Sequence, residues 1–149
     1  MGRIRKLPTY ANSLGGVILS AKEAVLAPMR PKLREYNLSE PQWRVMRVIN
    51  DIGPTDATTL SAGGLLHAPS VTRILKDLDE RSLILREPDP KDGRRTQVVL
   101  SEEGRAIVAD ISRFVLRLLR DYSEAFGPDR LKSLTDELRA LSLAVRGIQ

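Results

Sequence analysis

Apolar residues recur at helical spacing along most of the chain. They switch to strand-like alternation once, between residues 83 and 100. Leu14, Val17, Ile18, Ala21 and Val25 mark a helix from Thr9 to about Tyr36. Pro28 and Pro31 must kink or interrupt it, since each removes a backbone donor. Ser39 is an N-cap with Gln42 completing a capping box, so a second helix runs to about Asp51, turns Val45, Met46 and Ile49 inward, and stops at Gly53-Pro54. Asp56 caps a short helix from Ala57 to about Ala62, with Leu60 inward and Gly63-Gly64 ending it. The next helix begins near Pro69, behind the weak cap Ala68, and carries the stripe Val71, Ile74, Leu75 and Leu78. Leu83–Glu87 and Thr96–Leu100 read as strands, Val98 and Leu100 alternating against Gln97, around a Pro/Asp/Gly loop at 88–93. Ser101 then caps a long helix, with Glu102 and Glu103 at its positive end. Its stripe of Ile107, Ile111, Phe114, Leu118 and Tyr122 stops at Gly127-Pro128. A last helix carries Leu131, Leu134, Leu138, Leu141 and Val145.

Short helix, turn, helix, strand, loop, strand is the order of a helix-turn-helix with a β-hairpin wing. The expected fold is mainly α with a small β-hairpin (α+β): one domain over 1–149, with a winged helix-turn-helix DNA-binding lobe at 38–101. The helices at 9–36 and 102–147 have more apolar surface than that lobe can cover. They are expected to pair two chains as a two-fold homodimer. Two such lobes suit double-stranded DNA with a pseudo-palindromic operator, its half-sites about one helical turn apart.

Opposite the stripe of the 69–80 helix lie Ser70, Thr72, Arg73 and Lys76, side chains that reach base edges and phosphates from a recognition helix. The same face on an isolated helix is simply solvated, and only the helix-turn-helix order favours DNA. At the hairpin tip, Arg94 and Arg95 suit a narrow, electronegative minor groove, with Asp92 placed to brace an arginine. An ordinary polar hairpin with a local ion pair is the other reading. His67, just before the recognition helix, is left outside the main site. Arg113, Arg117 and Arg120 read as a solvated stripe, and Arg3, Arg5 and Lys6 as a loose basic arm.

Trp43 and Arg47 lie one turn apart. They form either a flat apolar wall with a cation beside it, suited to an aromatic acid, or a buried anchor with an intrahelical cation–π pair. Both readings stand on sequence alone.

The run DGRRTQVVLSEEG resembles the wing signature of the MarR family of winged-helix regulators. Asp92, Arg94, Leu100, Ser101 and Gly104 occupy its fixed positions. Leu38 to Arg47, Pro69-Ser70-Val71-Thr72, Ile74-Leu75, Ala21 to Ala24 and Arg30-Pro31 are similar to the homoprotocatechuate-operon repressor branch. Ser82 departs from the pattern, which has Gly before the apolar pair and so an easier left-handed helix end. The resemblance implies a dimeric ligand-responsive repressor. Its effector, a small phenolic or aryl-acetic acid of aromatic catabolism, would bind where the DNA lobe meets the dimer helices, near Trp43, Arg47 and Lys22. A ligand-independent architectural winged-helix protein is the alternative.

At 149 residues with a net charge of +5, the chain is one domain's worth of basic protein, in keeping with a polyanionic partner. It has no cysteine, so disulfides, thiol redox sensing and Cys-ligated zinc are excluded, and with a single histidine a nitrogen-rich metal site is not expected within one subunit. No phosphate loop, Ser-His-Asp set or Cys-His set is present, so neither an enzyme nor a cofactor is expected. No apolar run reaches the ~20 residues that span a bilayer, and the basic start lacks the apolar core of a secretion signal. A cytoplasmic protein is the expectation.

Overall fold

In the computed structural model, residues 6–62 and 66–148 are described. The first predicted helix begins late, at Leu14. Ser13 sits in extended backbone and caps it, accepting from the Gly16 amide at 3.0 Å. α1 spans Leu14–Leu26; a 3-10 turn at Ala27–Met29 and a short α2, Arg30–Arg34, follow. That break is the interruption the two prolines impose. The turn after α2 passes through Asn37, in the left-handed region at φ 52°.

α3, Glu40–Ile52, starts on the predicted capping box. The Gln42 amide donates to Ser39 Oγ at 3.2 Å, and the Ser39 amide to Gln42 Oε1 at 2.9 Å. Gly53 stops it at φ 76°, a conformation glycine takes without Cβ strain. α4, Ala57–Ala62, is capped as expected, the Thr59 amide donating to Asp56 Oδ1 at 2.7 Å. The predicted Gly63-Gly64 stop lies outside the described residues. α5, Ala68–Glu80, begins one residue before Pro69. Its N-cap is His67, in extended backbone, with no bond from the imidazole. Val71, Leu75 and Leu78 are buried on its inner face and Ile74 is half-buried.

β1, Ile84–Pro88, pairs antiparallel with β2, Thr96–Leu100, in a register that sets Ile84 opposite Leu100 and Pro88 opposite Thr96. Thr55 adds a one-residue third strand, exchanging 3.1 Å and 2.7 Å backbone bonds with Val98. The hydrophobic pattern misses this pairing, because a single residue between Pro54 and the Asp56 cap has no period to display. Leu33, Met46, Ile49, Leu75, Leu78, Ile84 and Val98 form the core among α2, α3, α5 and the hairpin. Fully burying each such side chain is worth about 1.5–3 kcal/mol.

α6 runs Glu102–Phe126 and α7 Pro128–Arg146, separated by Gly127 at φ 103°. The chain divides into two compact units, residues 1–108 and 109–149. In the second, α7 buries no residue, and Leu116, Leu119, Leu134, Leu138 and Leu143 are exposed. In the first, the α1 residues Leu14, Val17, Ile18, Leu19 and Val25 are exposed. No described helix is long and apolar enough to cross a membrane.

One joint links α5, the wing and α6. Just past α5, Ser82 takes the left-handed conformation at φ 58° even though it departs from the glycine that adopts it more easily. Ser101 Oγ donates to the Ser82 carbonyl at 2.7 Å and accepts from the Gly104 amide at 3.0 Å; the Ser101 amide donates to the Leu83 carbonyl at 3.0 Å. Gly104 lies against that Leu83 carbonyl, and a Cβ there would collide with it. Gly104→Ala is therefore expected to cost about 1–3 kcal/mol of stability through overpacking, read by urea unfolding; an unchanged midpoint would show that the joint gives way freely.

Candidate nucleic-acid interface

Because Val71, Leu75 and Leu78 fasten one side of α5 in the core, its other side is committed to solvent. Thr72, Arg73 and Lys76 are exposed there and Ser70 is half-buried. Lys76 sits 4.0 Å from Glu80, and the Thr72 hydroxyl donates to the Ala68 carbonyl at 3.1 Å. Arg73 and Ser70 line an open cleft of about 410 Å³ shared with Ser39, Pro41, Gln42 and Asp77.

Side-chain bonds that the sequence pattern did not show set the position of α5. Gln42 Nε2 donates to Asp77 Oδ2 at 2.7 Å, joining α3 to α5. Arg81, just past α5, donates to the Tyr36 and Asn37 carbonyls at 2.6 and 3.1 Å and lies 3.5 Å from Asp77. A guanidinium fork suits the paired acceptors at a helix C-terminus. The available signals were the i,i+4 spacing of Asp77 and Arg81 and the left-handed tendency of Asn37. On the other side, Arg86 Nε meets Asp79 at 3.2 Å. Arg30 grips Glu23 of α1 at 2.6 and 2.7 Å and Glu40 of α3 at 3.0 Å. This holds the Glu23 carboxyl below its ordinary range and raises the Arg30 guanidinium.

The wing tip is shaped by its acids. Asp92 Oδ1 accepts from the Arg94 amide at 3.1 Å and lies 4.0 Å from Arg94 Nε. The Arg95 amide donates to the Asp92 carbonyl at 3.0 Å, and the Asp89 amide to the Arg95 carbonyl at 2.9 Å. The two arginines then part. The Arg94 side chain is 96% exposed, whereas Arg95 shares a cleft with Asp56, Ala57, Thr58 and Thr59 at the start of α4. The Asp56 carboxyl is held below its ordinary range by the Thr59 amide and hydroxyl, and further by the Arg95 charge.

Trp43, Arg47 and Lys22 are not presented as one site. Trp43 is only 5% exposed, in the core with Val45, Met46 and Ile49; Arg47 and Lys22 are exposed. Among the described residues the cation–π pairs are Lys32–Tyr36, Arg117–Phe114 and Arg130–Phe126. Trp43 is the buried anchor of one sequence reading, but the cation–π pair with Arg47 that went with it is not formed, because a ring turned into the core leaves the exposed guanidinium no face to stack on. Beside Trp43, Arg44 Nε is buried without an acceptor, a feature spacing could not show.

Residues 38–96 match the model of the MarR family. The chain is 28% identical to the homoprotocatechuate degradative operon repressor of Escherichia coli over 124 residues, 83% of this chain and 84% of that one. The crystal structure of the transcriptional regulator PA4135 is 32% identical with a TM-score of 0.77, over 87% of this chain and 96% of the other. The crystal structure of NadR in complex with 4-hydroxyphenylacetate is 28% identical, also with a TM-score of 0.77, over 91% and 97%.

The lowered Asp56 carboxyl gives the α4 cap a pH signature. The unfolded aspartate titrates near about 3.9, so the cap's stabilisation is complete above that value and is lost as pH falls through the lower folded one. Asp56→Ala is expected to cost about 1 kcal/mol near neutrality, and the gap to wild type to shrink below about pH 4. Urea unfolding at both pH values reads it; a gap of equal size in acid would remove the charge from the explanation.

Proposed function

The chain belongs to the MarR family of DNA-binding transcriptional regulators, and on that premise we propose that it is a homodimeric cytoplasmic repressor released from its operator by a small aromatic acid. Two copies of α5 enter successive major grooves of a pseudo-palindromic site. Ser70, Thr72 and Arg73 read base edges, Lys76 contacts phosphate, and the wing follows the flanking minor groove. Of the two tip arginines, Arg94 is the one that enters. It stands clear of the protein while Asp92 shapes its turn, so less freedom is lost on binding. Arg95 supports the tip from the α4 side.

The observation that carries the reading is α5 itself: three buried residues anchor it, side-chain bonds brace it, and its outward face bears cations and hydroxyls. The exposed apolar faces of α1, α6 and α7 support the dimer, since a second copy covers them. For the effector, the support is similarity to NadR, crystallised with 4-hydroxyphenylacetate, and to the homoprotocatechuate repressor. The unpaired Arg44 Nε offers a carboxylate a buried partner in α3. Such a ligand acts only through unequal affinity for the DNA-fitting and non-fitting arrangements of the pair.

Arg94→Ala is expected to weaken binding to a duplex selected with the wild-type protein by about 1–3 kcal/mol without changing the oligomeric state. Wild-type affinity in that variant would take the wing out of the reading. Competition with random DNA separates this function from an architectural one: a repressor prefers its selected duplex by about 10³-fold or more, an architectural protein hardly at all. A thermal-shift screen of aromatic acids is expected to give a stabilising compound that also releases the duplex; stabilisation without release would place that compound outside regulation.

A further inference from the structure

Thr72 is exposed on the reading side of α5, but its hydroxyl proton is already committed. Oγ1 donates to the Ala68 carbonyl one turn back, at 3.1 Å. A hydroxyl has one proton, so in this rotamer Thr72 keeps only acceptor lone pairs and its γ-methyl for a partner. Arg73 beside it is exposed, and a guanidinium carries five N–H donors and no acceptor.

The major groove presents different chemistry at each base pair. Guanine shows two acceptors and cytosine one amino donor; adenine shows an acceptor and an amino donor, thymine an acceptor and a 5-methyl group. A threonine without a free proton has nothing to give guanine. Its methyl matches thymine's, and its lone pairs match the adenine amino group of the same pair. We propose that Thr72 selects an A·T pair by packing its γ-methyl on the thymine 5-methyl, while Arg73 supplies the donors that guanine needs. This rests on the proposed entry of α5 into the major groove, and gives that entry a base preference at one position of each half-site.

The test begins with a duplex selected from a random pool by the wild-type protein. Each thymine is then replaced singly by deoxyuridine, which removes only the methyl group. One position per half-site is expected to lose about 3- to 10-fold in affinity, the scale of a lost methyl contact. Thr72→Val, which keeps the γ-methyl, retains this sensitivity; Thr72→Ser, which keeps only the hydroxyl, abolishes it. Placing a G·C pair there weakens wild-type binding, and 5-methylcytosine recovers part of the loss. Three results overturn the proposal: no thymine sensitive to demethylation, equal sensitivity in Thr72→Ser, or a Thr72→Val variant that loses the preference. If no sequence is enriched from the pool at all, the operator-reading function fails first and this inference falls with it.

Discussion

A single buried hydroxyl holds α5, the wing and α6 in register. Ser101 Oγ ties the end of α5 to the end of the wing and the start of α6, through the Ser82 carbonyl at 2.7 Å and the Gly104 amide at 3.0 Å. The Ser101 amide closes the joint on Leu83, one residue before β1. Buried polar groups left unpaired cost about 1–3 kcal/mol each, so these elements cannot turn independently without losing several bonds together. The tightness of the joint explains its composition: Gly104 has room for no side chain, and Ser82 accepts a left-handed backbone that favours glycine.

From that joint the positions of the polar side chains follow. α5 is fastened along its inner stripe and braced by Gln42, Asp77 and Arg81, so its outer face is presented as a fixed surface. The wing continues from the same joint, and its tip is ordered by Asp89 and Asp92 accepting from the backbone at 2.8 and 3.1 Å. Order in the unbound state lowers the entropy lost on binding. The exposed ion pairs are worth little as stability, about 0–1 kcal/mol each, and matter here for where they put charge.

Much of this was written into local pattern. The Ser39 and Gln42 capping box, the Asp56 cap, the inner stripe of α5 and the alternation in β2 each involve residues close along one helix or one strand, and all formed. Long-range pairings were not legible. The Thr55–Val98 bridge and the Arg81–Tyr36 bond span 43 and 45 positions, and no periodicity encodes them. Trp43 shows the reverse case: helical spacing permitted a stacked pair with Arg47, but the core took the ring. At the wing, composition put two arginines and an acid together, but only the fold separates an Arg94 in open solvent from an Arg95 beside α4.

The account finally depends on two such heads being held at a set distance by the exposed apolar faces of α1, α6 and α7. Sedimentation equilibrium of the purified chain, alone and with a duplex of roughly two half-sites spaced one helical turn apart, tests this most directly. The account predicts a dimer at micromolar concentration that takes up one duplex per two chains. A chain that stays monomeric, or that leaves the duplex unbound in dilute salt, would contradict it.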